Sequence, residues 1–325
     1  MVIERIVRMN FQISEPILIV GLGGVGTKIA IKAKELLQAD CLLISNDQKD
    51  LDSDNKSIKI STKSVVNPSV QLIRGSAYEN SENIKSEISN YSTIVLLSNL
   101  AGRSGAALAP VVSQLCKEDN KNIVSLAIMP FKFEKDRIFQ SGISLKRLRE
   151  HSGCTIVLDN DALLDSNPDL SPSACHEISN EAILNVIGSI GNTSIPEETN
   201  ILSTSKDVTN VEDSLKDSLR MLYEDAPPSS VKRSILYILG GDKIPVGVLN
   251  SVTNIASNVF NQENTSVSPS IGTAEKSKVI MLSSVQGETH FDNYDPLSII
   301  PQEKTLDWEQ PESNIDCEFE LYQLE

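Results

Sequence analysis

Histidine is scarce in this chain, with three in 325 residues, and no two cysteines stand in a CxxC pair. Three scattered histidines argue against a His-based metal site. The five cysteines (Cys41, Cys116, Cys154, Cys175 and Cys317) are widely spaced and odd in number. They read as reduced, structural thiols of a cytoplasmic protein rather than as a disulfide framework. No apolar run approaches the ~18–20 residues that a membrane-spanning helix needs. The opening Met1-Val-Ile-Glu-Arg-Ile carries an acid early and lacks the apolar core of a signal peptide. Basic charge is also in deficit, with a net charge of −15. That argues against general nucleic-acid affinity, which demands clustered Lys and Arg.

The acids are unevenly placed. Glu288 to Glu325 holds eleven acids against one base, Lys304, a net of −10 that leaves −5 for the other 287 residues. A nearly neutral body with an acidic tail is the better description. Hydrophobic content of 40% and 325 residues suffice for a full core and two domains.

Strand and helix patterns alternate along the body. Ile17–Val20 is a continuous apolar run ending in glycines, the signature of a buried parallel strand. A helix is predicted over 27–38, strands over 41–44, 93–97, 122–129 and 154–158, and helices over 82–89, 105–117 and 144–151. The polar stretches 52–67 and 191–208 read as loops. This order predicts a doubly wound, mostly parallel sheet. Ser171 to Ile190 reads as one long helix. A helix near 211–223, a strand over 234–239, a helix over 246–260 and a strand over 277–282 make a second, smaller α/β unit.

Two glycine-bearing loops carry the chemistry. The first, Gly21-Leu-Gly-Gly-Val-Gly26-Thr27, follows a strand and opens a helix. Glycines let the backbone turn tightly there, and unpaired N–H groups at a helix N-terminus meet a phosphate's charge. With Asp47 ending the next strand, the loop also fits a dinucleotide-binding fingerprint in which the acid holds a ribose hydroxyl. It resembles the opening of adenylating enzymes as well. Alone it does not choose among these ligands.

The second loop, Leu100-Ala-Gly-Arg-Ser-Gly-Ala-Ala107, leads into Pro110-Val-Val and Pro130-Phe-Lys-Phe-Glu134. It resembles the Gly-Gly-Gly-Thr-Gly-Thr-Gly signature of the tubulin/FtsZ superfamily. Asn160-Asp161-Ala-Leu-Leu and Ser234-Ile-Leu-Tyr-Ile-Leu-Gly-Gly241 are similar, in order, to FtsZ segments. The resemblance covers roughly residues 15–287 and implies a divergent, archaeal FtsZ-like protein. It would place Gly21, Gly23, Gly24, Gly26, Thr27 and Asp47 from the first loop, and Gly102, Arg103, Ser104 and Gly105 from the second, around a bound GTP or GDP. Mg²⁺ is left open as an accompanying ion. Arg103 stands where the family has glycine; a left-handed backbone there would cost about 1–2 kcal/mol. By the same resemblance Glu134 contacts the ribose, Arg137 follows as a basic contact, and Asn160 faces base or ribose. Asn180 would read the guanine edge, with His176, one helical turn earlier, stacking on the base.

The resemblance also places a hydrolytic loop at Ile201-Leu-Ser-Thr-Ser-Lys-Asp-Val208, where it would act in a neighbouring subunit. Leu202 and Thr204 replace the family's asparagine and first aspartate, and Asp207 keeps the second. Glu197 and Glu198 lie just upstream. Losing a water-orienting carboxylate commonly costs ~10²–10⁴ in rate, so weak or absent GTP hydrolysis is expected, with Asp207 as the residual catalytic acid. The implied organisation is an N-terminal extension (1–14), a GTP-binding α/β domain (15–170), a core helix (171–198), a C-terminal α/β domain (199–287) and an acidic tail (288–325). The tail alternates apolar and acidic residues over Ile315–Leu321, near the single tryptophan, Trp308. That pattern suits either a peptide for a division or membrane-tethering partner or a final strand on the body. The implied role is a cytoplasmic, cell-division-associated protein that self-associates head to tail into filaments, with no membrane insertion. Two alternatives stay open: a scaffold of the same fold without nucleotide, and a Rossmann-type enzyme using NAD or ATP.

Overall fold

The computed structural model describes residues 10–11, 13–63, 67–190, 195–196, 199–206, 210–240, 244–260, 266–272 and 277–294. Asp207, Glu197, Glu198, Gly241, Trp308, Cys317 and the tail beyond 294 lie outside the described residues. In chain order the elements are β1 (Asn10–Phe11), β2 (Ile17–Leu22), α1 (Gly23–Leu37), β3 (Asp40–Ser45), β4 (Lys56–Lys59), α2 (Val70–Glu79) and α3 (Ser81–Ile88). Next come β5 (Thr93–Asn99), α4 (Arg103–Glu118), β6 (Asn122–Met129), α5 (Lys135–His151), β7 (Cys154–Asp159), α6 (Asn160–Ser166) and α7 (Pro172–Ile190). The chain continues through β8 (Ile195–Pro196), β9 (Thr199–Ser203), α8 (Val211–Asp225), β10 (Val231–Leu239), α9 (Val246–Phe260), β11 (Ser266–Gly272) and β12 (Lys278–Val285).

Among the described residues ten strands form one mixed sheet in the order β11-β10-β12-β9-β7-β6-β5-β2-β3-β4. From β4 to β9 the pairings are parallel, and β12 runs antiparallel between β9 and β10. Both faces are covered, so strand residues alternate between two apolar cores instead of between core and water. Leu18 and Val20 enter one core, with α2, α3, α4, α5, α8 and α9 above them. Ile19 enters the other, beneath α1, α6 and α7. This double burial is why the strands read as continuous hydrophobic runs.

The structure departs from the predicted elements in two polar stretches. Residues 52–67 contain β4, in which Ile58 is buried while the other three residues are exposed. Residues 191–208 contain β9, which pairs Thr155–Val157 of β7 on one side and Met281–Val285 of β12 on the other. In β9, Ile201 faces the first core and Leu202 the second, both fully buried. Asn200 and Ser203 flank them and mask the apolar signal. The helix predicted to start at Ser144 instead starts at Lys135. The helix α2, capped by Ser69 accepting from Leu72 N, has no counterpart among the predicted elements.

Glycine decides how closely α1 and α4 approach the sheet. A Cβ on Gly26 would collide with the Leu97 carbonyl oxygen of β5, and one on Gly105 with the Asn99 carbonyl oxygen. The obstacle is backbone in both cases and cannot rotate away. The two helices therefore rest directly on the end of β5, with their N-termini side by side.

The parallel part of the sheet and α8 meet at a buried acid pair. Asp159 closes β7, and its Oδ1 accepts from Asp161 N at 2.9 Å as the cap of α6. Asp225, the last residue of α8, lies against it. Both are almost fully buried. Burial pushes the Asp159 carboxyl up to about 7 and Asp225 well above the usual carboxylate range, with the neighbouring Asp159 charge adding to the latter. The first residues of the acidic segment close this region. Arg149 Nη1 donates to Asp292 at 2.9 Å, and Phe291 and Tyr294 are buried.

This packing is testable at its glycines. Gly26→Ala and Gly105→Ala should each destabilise by roughly 1–3 kcal/mol in denaturant melts, because the backbone must shift. Gly75→Ala, in α2 with nothing within 4 Å of its would-be Cβ, should be neutral or stabilising by about 0.5–1 kcal/mol. Equal behaviour of all three would refute the close-approach argument.

The acid pair makes a pH-dependent contribution of known sign. An unfolded aspartate loses its proton near ~4, whereas the folded pair retains one to about 7. The folded state binds more protons across that window. The contribution is therefore fully present below the unfolded value and is lost as pH rises through the folded one. Wild type should lose on the order of 1 kcal/mol or more of stability between about pH 4 and 7 relative to Asp225→Asn. Parallel stability–pH curves for the two proteins would clear the pair of responsibility.

Candidate functional site

The two glycine loops meet beyond the C-terminal ends of the parallel strands, where open α/β sheets bind ligands. Gly23 begins α1 with φ +66°, and its would-be Cβ lies 2.8 Å from Ser104 Cβ, so the loops touch. Ser104 Oγ also hydrogen-bonds Asn46 Oδ1 at the end of β3. A cavity of about 740 Å³ opens over this junction. Gly23, Gly24, Asp47, Gly102, Arg103, Ser104 and Gly105 line it. Gly21, Gly26 and Thr27 do not; they lie buried beneath the loop, with Thr27 Oγ1 donating to Gly24 O at 3.1 Å. Arg103 is the first residue of α4 and is exposed. Among the described residues, left-handed φ outside glycine occurs at Gln38, Asn67 and Asn120. The strain expected of an arginine at 103 is therefore not incurred.

Sequence reasoning passes over several residues of the cavity wall, among them Lys28, Asn46, Asp50, Lys59, Ser61 and Thr62. Asn46 and Asp50 flank Asp47 and could be found from it. Lys59, Ser61 and Thr62 give no such signal, because a polar stretch with one buried position reads as loop. Asp47 caps a short 3-10 turn, Oδ1 accepting from Lys49 N at 3.0 Å. Asp50 Oδ2 accepts from Ser45 Oγ at 2.6 Å.

The residues assigned to base and ribose gather elsewhere, around Phe131. Glu134 Oε2 accepts from Phe131 N at 3.2 Å and its Oε1 from Arg137 Nη1 at 2.6 Å, an ion pair made by the first turn of α5. Asn160, about 1% exposed, donates from Nδ2 to Met129 O at 3.3 Å and accepts at Oδ1 from Ser179 Oγ at 2.8 Å. Its Nδ2 is also 3.4 Å from His176 Nδ1. His176 meets Phe131 edge-on, at 5.3 Å between ring centroids, and Phe131 stacks on the exposed Phe133 at 4.9 Å. Burial holds the His176 imidazole below its ordinary pKa. Asn180 is half-buried and makes no side-chain hydrogen bond among the described residues. Arg137 lines a second cavity of about 280 Å³ that shares Gly102 and Arg103 with the first. Glu134, Asn160, His176 and Asn180 are on the wall of neither.

The loop expected to act in a neighbour has a different setting. Leu202 is inside β9, facing the core under α7. Thr204 is fully buried, its N–H directed at Met221 Sδ at 3.3 Å and its Oγ1 without a partner among the described residues. Neither can reach another molecule without leaving the core.

The large cavity is of ligand-site size. Its floor is two helix N-termini whose backbone N–H groups and dipoles favour an anion, so a nucleotide phosphate fits. Its acids, Asp47 and Asp50, each already accept a protein hydrogen bond. Among the described residues no group of three or more His, Cys, Asp or Glu is placed to hold a metal. A Mg²⁺ ion there would rest mainly on phosphate oxygens and water. No helix among the described residues is long and apolar enough to cross a membrane.

Comparisons with known proteins agree with this fold. Residues 16–168 match the Tubulin/FtsZ family, GTPase domain. Cell division protein FtsZ 2 of Halobacterium salinarum is 29% identical over 189 residues, 54% of this chain and 47% of the relative. The chain thus spans about half the length of the relatives it matches in sequence. Among solved structures, an empty FtsZ dimer of M. jannaschii superposes with a TM-score of 0.66 at 17% identity, covering 85% of this chain and 89% of that one. CetZ2 from Haloferax volcanii, described as a GTPγS-bound protofilament, superposes with a TM-score of 0.64 at 16% identity, covering 86% and 96%. The parallel sheet, the paired glycine loops at its C-terminal edge and these matches together show that the chain has the tubulin/FtsZ fold, with residues 16–168 matching the family's GTPase domain, and that it is similar to archaeal FtsZ and CetZ proteins.

Proposed function

We propose that this chain is a guanine-nucleotide-binding cytoskeletal protein of the FtsZ type, associated with cell division and self-assembling head to tail. The observation that carries the reading is the junction of α1 and α4: two helix N-termini and a glycine-lined floor opening on one cavity. GTP or GDP lies there with its phosphates over Gly23, Gly24 and Gly102–Gly105. The family resemblance directs its base toward the Phe131 cluster, which holds His176, and toward Asn180 one turn further along α7. The relatives support the ligand and the assembly, since one neighbour is described as a GTPγS-bound protofilament. A head-to-tail contact is heterologous and propagates without closing. Asp207, outside the described residues, is the acid we assign to any residual hydrolysis in a neighbour. The acidic tail is the segment we assign to a division or membrane-tethering partner.

Hydrolysis is weak in this reading, because Leu202 and Thr204 are core residues at the strand that joins the halves of the sheet. Turnover should be slow, and restoring the family's residues should not rescue it. Leu202→Asn with Thr204→Asp places an amide and a carboxylate in the core, at a cost of roughly 2–4 kcal/mol or more. The double variant should melt earlier with no gain in phosphate release. A tenfold faster turnover at an unchanged melting temperature would overturn the assignment.

The nucleotide reading is tested on freshly purified protein, by denaturing it and separating the released nucleotides chromatographically. Near-stoichiometric GDP or GTP is expected. An empty protein that also fails to bind added GTP would leave a scaffold of the same fold. Binding of NAD in preference to GTP would establish a Rossmann-type enzyme instead.

A further inference from the structure

The cavity wall carries three cations from three separate elements: Lys28 on α1, Lys59 at the end of β4 and Arg103 at the start of α4. Each is exposed, and none makes a hydrogen bond or ion pair among the described residues. Other lysines nearby are engaged, Lys34 with Asn55 at 2.5 Å and Lys56 with Glu87 at 3.1 Å. The two acids on the same wall each accept a hydrogen bond from the protein, Asp47 from Lys49 N and Asp50 from the Ser45 hydroxyl, and with three cations against two carboxylates the wall stays net positive. Like charges gathered in a concave site repel one another and focus a field that draws in an anion.

Sheet order fixes which end of a nucleotide they meet. The base-side cluster comes from β6, β7 and α7, the glycine loops follow β2 and β5, and Lys59 comes from β4 at the far edge of the sheet. Lys59 is in register with Ser45, next to Asn46 and Asp47. A nucleotide laid across this edge with its base toward β7 and its proximal phosphates on the glycines directs its terminal phosphate toward β4.

We infer that Lys28, Lys59 and Arg103 form a cationic clamp on the terminal phosphate, which makes the site select GTP over GDP without a divalent cation. This rests on the nucleotide reading above and adds the residues and the charge balance that discriminate the triphosphate. An ammonium supplies a point charge, and the guanidinium of Arg103 offers a fork that matches a phosphoryl edge. Arg103 thus replaces a glycine of the family with a ligand.

The test is equilibrium titration of the full chain with fluorescent GTP and GDP, in Mg²⁺ and in EDTA, for wild type, Lys59→Ala and Arg103→Gly. Both substituted side chains are exposed, and matched melting temperatures confirm folding. Wild type should bind GTP more tightly than GDP in both buffers. Each variant should lose about tenfold in GTP affinity, the scale of one charge-assisted bond, with less than about a threefold change for GDP. Loss of the GTP preference in EDTA would assign discrimination to a metal and overturn the inference. So would unchanged affinities, or equal losses for both nucleotides. Wild type binding neither nucleotide would bring down the nucleotide reading itself, an outcome distinct from binding both without preference.

Discussion

The architecture of the site depends on the absence of two Cβ atoms. Gly26 and Gly105 let α1 and α4 sit against the carbonyl ends of Leu97 and Asn99, closer than any side chain allows. Their N-termini are thereby forced together over the C-terminal edge of the sheet. The contact between Gly23 and Ser104, the hydrogen bond from Ser104 to Asn46 and the cavity above them all follow from that approach. An anion placed there meets backbone donors that are already oriented, so little reorganisation accompanies binding.

The two sides of the site are built by different means. The glycine-loop side is backbone geometry decorated with exposed cations that have no partner among the described residues, which tolerates sequence change so long as the helices stay seated. The Phe131 side is side-chain chemistry, and here most of the polar groups are turned inward: Asn160 to Met129 and Ser179, Glu134 to Arg137 and Phe131. Buried amides and carboxylates satisfied in this way rigidify their surroundings. They also leave Asn180 as the uncommitted polar group among the residues assigned to the base.

Much of this is legible in the sequence wherever burial and backbone chemistry act locally. The runs at 17–20, 93–97, 122–129 and 154–158 are apolar because both faces of those strands are covered, and the glycine loops directly follow two of them. The long helix at 172–190 and the helix at 246–260 carry their own periodicity. What is not legible depends on partners distant in sequence. β4 exposes three of four residues and has the single buried Ile58 as its signal. β9 is a central strand of five residues with Asn200 and Ser203 at core positions, and only pairing with β7 and β12 makes it one. Lys59 escapes the predicted site for the same reason as β4. The Glu134–Arg137 pair requires knowing that α5 starts at Lys135, which puts the two side chains one turn apart.

The position of β9 has a mechanical consequence. Because it is hydrogen-bonded to β7 on one side and to β12 on the other, the N-terminal half and the C-terminal half share one unbroken ladder. A door-like swing between them would have to shear that ladder, exchanging buried backbone bonds for none. A change felt at the glycine loops can still cross the molecule as a change in sheet twist, or as a slide of helices over the two faces, both of which preserve the ladder. The molecule is in that sense a torsion bar rather than a hinge, and its two ends turn together.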